Sequence, residues 1–144
     1  MVLTRRFDVR NPNAISHGGT FNNAPLTMVA GAAALDVLTE DVLKELNARG
    51  DRMRDALSAA LTASGAPFYI TGIGSINQLH CTLPKDQRNP AHDLLFFSLL
   101  ERGFWIAQRG TICLSLANTD ADVDEFVLAV ADAVQAVKAA VGNN

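Results

Sequence analysis

The sequence predicts an α+β fold: a two-layer domain in which a short antiparallel sheet carries helices on one face. Three observations lead there. Long stretches repeat apolar residues at helical spacing, short β-rich runs come in adjacent pairs, and glycines separate the members of each pair. The resulting order is helix, helix, strand, strand, helix, strand, strand, helix. Strands joined by so short a loop must pair antiparallel, since a parallel crossover needs a dozen residues or more.

Residues 1–24 are polar and irregular, because Asn11, Pro12, Asn13, Gly18, Gly19, Asn22 and Asn23 forbid a long regular element. So long an unstructured opening is unusual in a compact domain and tends to be functional or displaced from its context. A helix follows, with Pro25 at its first position and Asn23 or Ala24 near the cap. Leu26, Met28, Val29, Ala32, Ala33 and Leu35 leave it apolar almost all round, as expected of a helix at an interface. Thr39 caps the next helix, with Glu40 and Asp41 where the helix dipole favours acids. Its stripe of Leu43, Leu46, Met53, Leu57 and Leu61 runs to Ser64, and Gly65 stops it.

Phe68–Thr71 and Ile76–Leu83 read as strands, with Gly72 and Gly74 at the bend between them. Pro84–Pro90 reads as a polar loop, and Asn89-Pro90 opens a short helix with Leu94, Leu95, Leu99 and Leu100 inward. Gly103 ends that helix. Phe104–Ala107 and Thr111–Leu116 are two further strands joined across Gln108-Arg109-Gly110. Thr119 and Asp122 cap a last helix, whose buried side carries Val123, Phe126, Val127, Val130, Val134 and Val137. Gly142-Asn143-Asn144 is a tail.

Hydrophobic residues make up 49% of the 144, sufficient for a core and contrary to disorder. A net charge of −3 gives no strong pull toward nucleic acid or anionic membrane. No apolar run is long enough to span a bilayer, and MVLTRRFDVR lacks the apolar stretch of a signal peptide. Cys81 and Cys113, in QLHCTL and TICLSL, fit neither a disulfide framework nor a zinc or redox motif. They read as buried thiols and point to the cytosol.

Two places have chemical potential. In Ser16-His17-Gly18-Gly19-Thr20-Phe21-Asn22-Asn23, small residues ahead of a helix leave backbone N–H groups open. Thr20 adds a hydroxyl, a set that suits a phosphate or carboxylate. The same glycines also suit a plain turn, and nothing nearby orients His17 as a base. Arg109, between two apolar strands, can clamp a carboxylate with its fork or stand free in water as a turn residue. Gly72-Ile73-Gly74-Ser75 is no phosphate loop, for no helix follows it. The three lysines, Lys44, Lys85 and Lys138, lie on solvated helix faces or in a polar loop, where nothing tunes them for carbonyl capture.

The run from His17 to Leu35 resembles a segment of the class III aminotransferases, pyridoxal-phosphate enzymes of fold type I. Within that family it is most similar to the glutamate-1-semialdehyde aminomutases and the β-amino-acid aminotransferases. Phe68–Ser75, the Arg109-Gly110 pair before Leu114-Ser115-Leu116, and Asn118–Asp124 agree in order. The resemblance implies only the last third, roughly, of such an enzyme. Residues 1–38 would be the cofactor loop and an interface helix cut from the large domain, and 39–144 the C-terminal small domain. The family's Schiff-base lysine, pyridinium acid and ring-stacking aromatic lie upstream, so the chain alone is expected to be inactive.

By the same resemblance, Gly19 and Thr20 would hold the phosphate of pyridoxal 5'-phosphate bound to the neighbouring subunit. Arg109 would bind the substrate carboxylate, as in the β-amino-acid branch. That Arg-Gly pair favours an aminotransferase, acting on an amino acid and a keto acid, over an aminomutase. The partner implied is a second copy of the chain or the missing N-terminal portion. A non-enzymatic α+β module that self-associates is the rival reading, and a stand-alone regulatory domain a weaker third.

Overall fold

The computed structural model describes residues 6–8, 10–16, 18–21 and 24–142. His17, Asn22 and Asn23, weighed above, lie outside them, as do Asn143 and Asn144. By their contacts the residues divide into two units, Met1–Thr39 and Glu40–Asn144.

In the first unit, turns follow one another: Asn11 N–H donates to Asp8 O at 2.8 Å and Ala14 N–H to Asn11 O at 2.9 Å. Helix α1 (Pro25–Val37) starts with proline at its first turn behind Ala24 and has no side-chain cap. It carries no buried residue; Leu26 is 86% exposed and Leu35 74%.

In the second unit, α2 (Glu40–Ser64) leads to the hairpin β1 (Phe68–Ile73) and β2 (Ile76–Cys81). Then come α3 (Lys85–Glu101), β3 (Thr111–Cys113) and α4 (Asp120–Gly142). The sheet is antiparallel in the order β1-β2-β3, with Ile70 opposite Leu79 and Asn77 opposite Ile112. Phe68, Leu79, Cys81 and Ile112 point to its buried face and share one core with Met53, Leu57 and Leu61 of α2 and Leu95 and Leu99 of α3. Val130, Val134 and Val137 of α4 complete that core. Every second strand residue faces the other way, and Tyr69, Thr71, Ile73, Ile76 and Cys113 are exposed. The expected α+β class, one sheet with helices on one face, is therefore what the chain forms.

The caps follow the sequence. Thr119 Oγ1 accepts from Asp122 N–H at 3.2 Å while the Asp122 carboxylate accepts from Thr119 N–H at 2.7 Å, a reciprocal capping box. Gly65, at φ +60°, ends α2 in the left-handed conformation that glycine tolerates.

Several expectations need correction. Phe104–Ala107 is not a strand. It winds off α3, with Phe104 N–H on Leu99 O, and makes a single ladder-like bond, Ala107 N–H to Thr111 O. It is apolar because Ile106 is buried and Phe104 half-buried, which a short apolar run cannot distinguish from strand pairing. β3 ends at Cys113, short of Leu116, because the Asn118 side chain captures Ser115 N–H and turns the chain. β2 likewise ends at Cys81, and Gly72 lies within β1, paired with Asn77.

The supposed loop Pro84–Pro90 is the start of α3. Gln87 and Arg88 N–H both reach Pro84 O at 3.0 Å, and Pro90 sits inside the helix. In that register Ala91, Leu95 and Leu99 form the buried line, leaving Leu94 and Leu100 at 37% and 41% exposure. Leu43 also lies outside the core, Gly142 is helical, and Cys113, expected buried, is exposed because it alternates with Ile112.

One contact fixes where the hairpin stands. Gly50 of α2 is buried, and a Cβ there would come within 2.1 Å of Gly74 O. Asp51 and Asn47 on the same helix accept from Gly74 N–H and Ser75 N–H, both at 3.0 Å. Gly74, at φ +54°, takes the first position of a two-residue turn, where glycine is favoured. Gly50→Ala must push the helix off the hairpin and is expected to cost about 1–3 kcal/mol. Urea unfolding checks this: the midpoint should fall with the slope unchanged.

Candidate functional site

Arg109 sits in a tight turn whose backbone is fixed from below. Gly110 N–H donates to Ala107 O at 2.7 Å, and Leu79 N–H on β2 donates to Gly110 O at 2.9 Å. Gly110 is buried at φ +91°, and a Cβ there would meet Leu79 O at 2.6 Å and His92 Cε1 at 3.1 Å. Glycine is thus required beside the arginine for close approach to the sheet.

The side chains extend this support. Gln78 Nε2 donates to Arg109 O at 2.6 Å and to Leu79 O at 2.8 Å. Thr111 Oγ1 donates to Gln78 Oε1 at 2.7 Å and accepts from Arg109 Nε at 3.1 Å. Arg109 is therefore oriented through Nε by a hydroxyl that a second side chain orients in turn. Among the described residues no carboxylate pairs with it, and its outer guanidinium edge is open.

Arg109 lies between two clefts. One, of about 470 Å³, is mostly apolar and includes Phe104, Trp105, Ile112, Leu114 and Phe126. The other is polar and runs along the start of α3 to His92. The His92 ring meets Phe68 edge-on at 5.6 Å, and its buried Nδ1 has no hydrogen-bond partner. Burial pushes its pKa below the ordinary 6.5; Asp93 opposes that shift, while His80 and Arg88 add to it.

Gly19 and Thr20 belong to the first unit. Gly19 has φ +148°, a conformation that side chains rarely adopt, and nothing lies within 4 Å of a Cβ placed on Gly18. Gly18 to Phe21 are exposed, and Ala24 N–H closes on Phe21 O just before α1. Among the described residues the Thr20 hydroxyl has no hydrogen-bond partner. Two of the lysines are engaged: Lys44 Nζ pairs with Glu40 at 2.7 Å and Lys138 Nζ donates to Ser64 O at 2.6 Å. Lys85 is exposed at the first residue of α3, and no lysine lines either cleft. Among the described residues no group of His, Cys, Asp and Glu can hold a metal ion.

Gln78, Thr111, Arg88 and His92 went unnoticed in the sequence. The last two stand four residues apart, the spacing of neighbours on a helix, which the loop reading of Pro84–Pro90 concealed.

No family model matches the sequence. The chain is 38% identical over 134 residues to an uncharacterized aminotransferase of Schizosaccharomyces pombe, covering 86% of this chain and 30% of that protein. A β-phenylalanine transaminase of Variovorax paradoxus is 37% identical, with the same coverage. Glutamate-1-semialdehyde 2,1-aminomutases, such as that of Syntrophobacter fumaroxidans at 30% identity, follow. Among solved structures, an omega-transaminase from Sphaerobacter thermophilus superposes with a TM-score of 0.81 at 30% identity, over 94% of this chain and 33% of that one. A transaminase with PLP bound gives 0.82 at 26% identity, with the same coverage.

The fold is thus that of the C-terminal domain of pyridoxal-phosphate transaminases. The homologues of this chain are aminotransferases, a β-phenylalanine transaminase and glutamate-1-semialdehyde aminomutases, matched over their C-terminal part. The chain spans about 30% of the length of these relatives.

The His92 geometry makes a prediction. Because folding lowers its pKa, the unfolded state takes up the proton first, so the stabilisation is complete above pH 6.5. It is lost as pH falls through the depressed value. Denaturation midpoints measured between about pH 7.5 and 5 should decline in the parent and decline less in His92→Gln. Parallel curves would contradict this.

Proposed function

We propose that this chain is the C-terminal portion of a class III aminotransferase that moves an amino group between an amino acid and a keto acid. The likeness to aminotransferases over 86% of the chain carries this reading. On it, residues 1–38 supply a cofactor-phosphate loop and an interface helix, and residues 39–144 supply the small domain.

Pyridoxal 5'-phosphate fits the chain at one end only. The open Thr20 hydroxyl and the exposed backbone of Gly19 and Thr20 are donors of the kind that holds a phosphate, and α1 adds the positive end of its dipole. The lysines do not fit the aldehyde end, because Lys44 and Lys138 are engaged and Lys85 lines neither cleft. Bound in the complete enzyme, the cofactor supplies the electron sink for amino-group transfer.

This chain's residues then position and bind. Arg109 presents its open edge to a substrate carboxylate, and Thr111 and Gln78 hold it in place. The apolar cleft beside it offers a surface for the rest of the substrate. The Arg109-Gly110 pair favours an amino-acid aminotransferase over an aminomutase. α1, apolar and exposed, provides the contact with a second copy or with the upstream portion, and the cytosol is the compartment this reading proposes. The same helix favours the rival self-association module, which transamination would exclude.

The test is substitution into a relative. Replacing the matching C-terminal part of the Variovorax β-phenylalanine transaminase with this chain should restore amino-group transfer that the truncated enzyme lacks. A folded chimera without transfer would overturn the reading. In the active chimera Thr20→Ala should weaken cofactor retention by about one to two orders of magnitude, since a hydrogen bond to a charged acceptor contributes roughly 1.5–3 kcal/mol. Unchanged retention would remove Thr20 from the phosphate site.

A further inference from the structure

Arg109 shares its polar cleft with a second guanidinium. The cleft, of about 690 Å³, is lined by Arg88, Asn89, His92, Asp93, Gln108 and Arg109. Arg88 and His92 lie one turn apart on the same face of α3. Gln108 and Arg109 come from the turn before β3, so two separate segments present cations to one space.

The charges in that space are unmatched. Arg88 spends one Nη2 bond on Leu83 O at 3.2 Å, and Arg109 spends its Nε on Thr111. Among the described residues neither meets a carboxylate, whereas Arg10, Arg49, Arg52 and Arg54 each pair with an aspartate. Asp93 is the one acid lining the cleft, and it accepts from Gln108 Nε2. Burial favours the neutral form of His92. Two positive groups and one negative leave the cleft cationic at neutral pH. Two like charges on exposed side chains gain nothing from proximity unless an anion joins them.

We propose that Arg88 and Arg109 form a two-arginine site for a single oxyanion group, a carboxylate or a phosphate. The site rests on Arg109 as an anion-binding residue and adds the α3 side, which no assignment above uses. Asn89 contributes a neutral amide donor at the rim, and Asp93, tied to Gln108, limits the site to one anionic group. The two sources for such a group are an amino- or keto-acid substrate and a phosphorylated ligand.

Titration of the ¹⁵N-labelled 144-residue chain with propanoate and, separately, inorganic phosphate tests this, with chloride holding ionic strength constant. Saturable shifts are expected at the amides of residues 88–93 and 108–111. Arg88→Gln and Arg109→Gln should each weaken binding roughly threefold to tenfold, the range for exposed charge-assisted contacts. Amides elsewhere should stay in place, which shows that both variants fold. Tighter propanoate binding assigns the site to a carboxylate, and tighter phosphate binding to a phosphorylated ligand.

Shifts that rise without saturation for both ions would overturn the proposal. So would a loss on Arg109→Gln alone with Arg88→Gln unchanged, an outcome that leaves Arg109's own role standing. Transfer by the chimera is read without reference to Arg88, so failure of the cleft and failure of the aminotransferase reading are separable.

Discussion

The close approach of α2 to the β1–β2 hairpin, made possible by the missing side chain at Gly50, governs the rest of the second unit. With no Cβ in the way, Asn47 and Asp51 reach the Gly74 and Ser75 amides, and Asn77 Nδ2 donates to Gly74 O from beneath at 3.0 Å. The turn is thereby held from both sides. β2 leaves it in a single register, since a slip of one residue would turn Leu79 and Cys81 out of the core. That register places Gln78 on the outer face and Leu79 N–H under Gly110, the two points from which the Arg109 turn is supported.

On the proposed reading, Arg109 and Thr20 would serve different anions. The arginine is a planar, permanently charged fork, oriented by Thr111 and flanked by apolar surface, a setting that favours a carboxylate carried on an organic molecule. Thr20 offers a neutral hydroxyl among exposed small residues at the start of a helix. On that reading it would gather weak donors around a phosphate and rely on the ligand's own charge. Loss of the first should be felt in substrate binding, and loss of the second in cofactor retention.

How much of this was legible in the sequence depends on how local the cause is. The caps at Thr119 and Asp122, the stop at Gly65 and the stripes of α2, Leu43 excepted, and α4 are short-range patterns that the sequence makes legible. The start of α3 was hidden because Pro90 looks like a first helical residue, whereas Pro84 holds the cap. Phe104–Ala107 looks like a strand because a short apolar run reads alike whether it pairs in a sheet or, as here with Ile106 buried and Trp105 exposed, only packs against the core. The Arg109 turn is visible as a turn, but its supports come from Gln78, 31 positions away, and from its neighbour Leu79, and no spacing rule reveals those. Gly50 was equally hidden, an unremarkable helical glycine until the hairpin is laid against it.

The account stands or falls on Arg109 acting as a carboxylate receptor held by the sheet. The most direct measurement is the kinetic split of Arg109→Ala in a chimeric transaminase that carries this chain. Loss of one charge-assisted contact of roughly 1.5–3 kcal/mol should raise KM for the amino acid by about tenfold or more. Cofactor retention should stay at the parent level. An unchanged KM, or a variant that loses its cofactor instead, would contradict it.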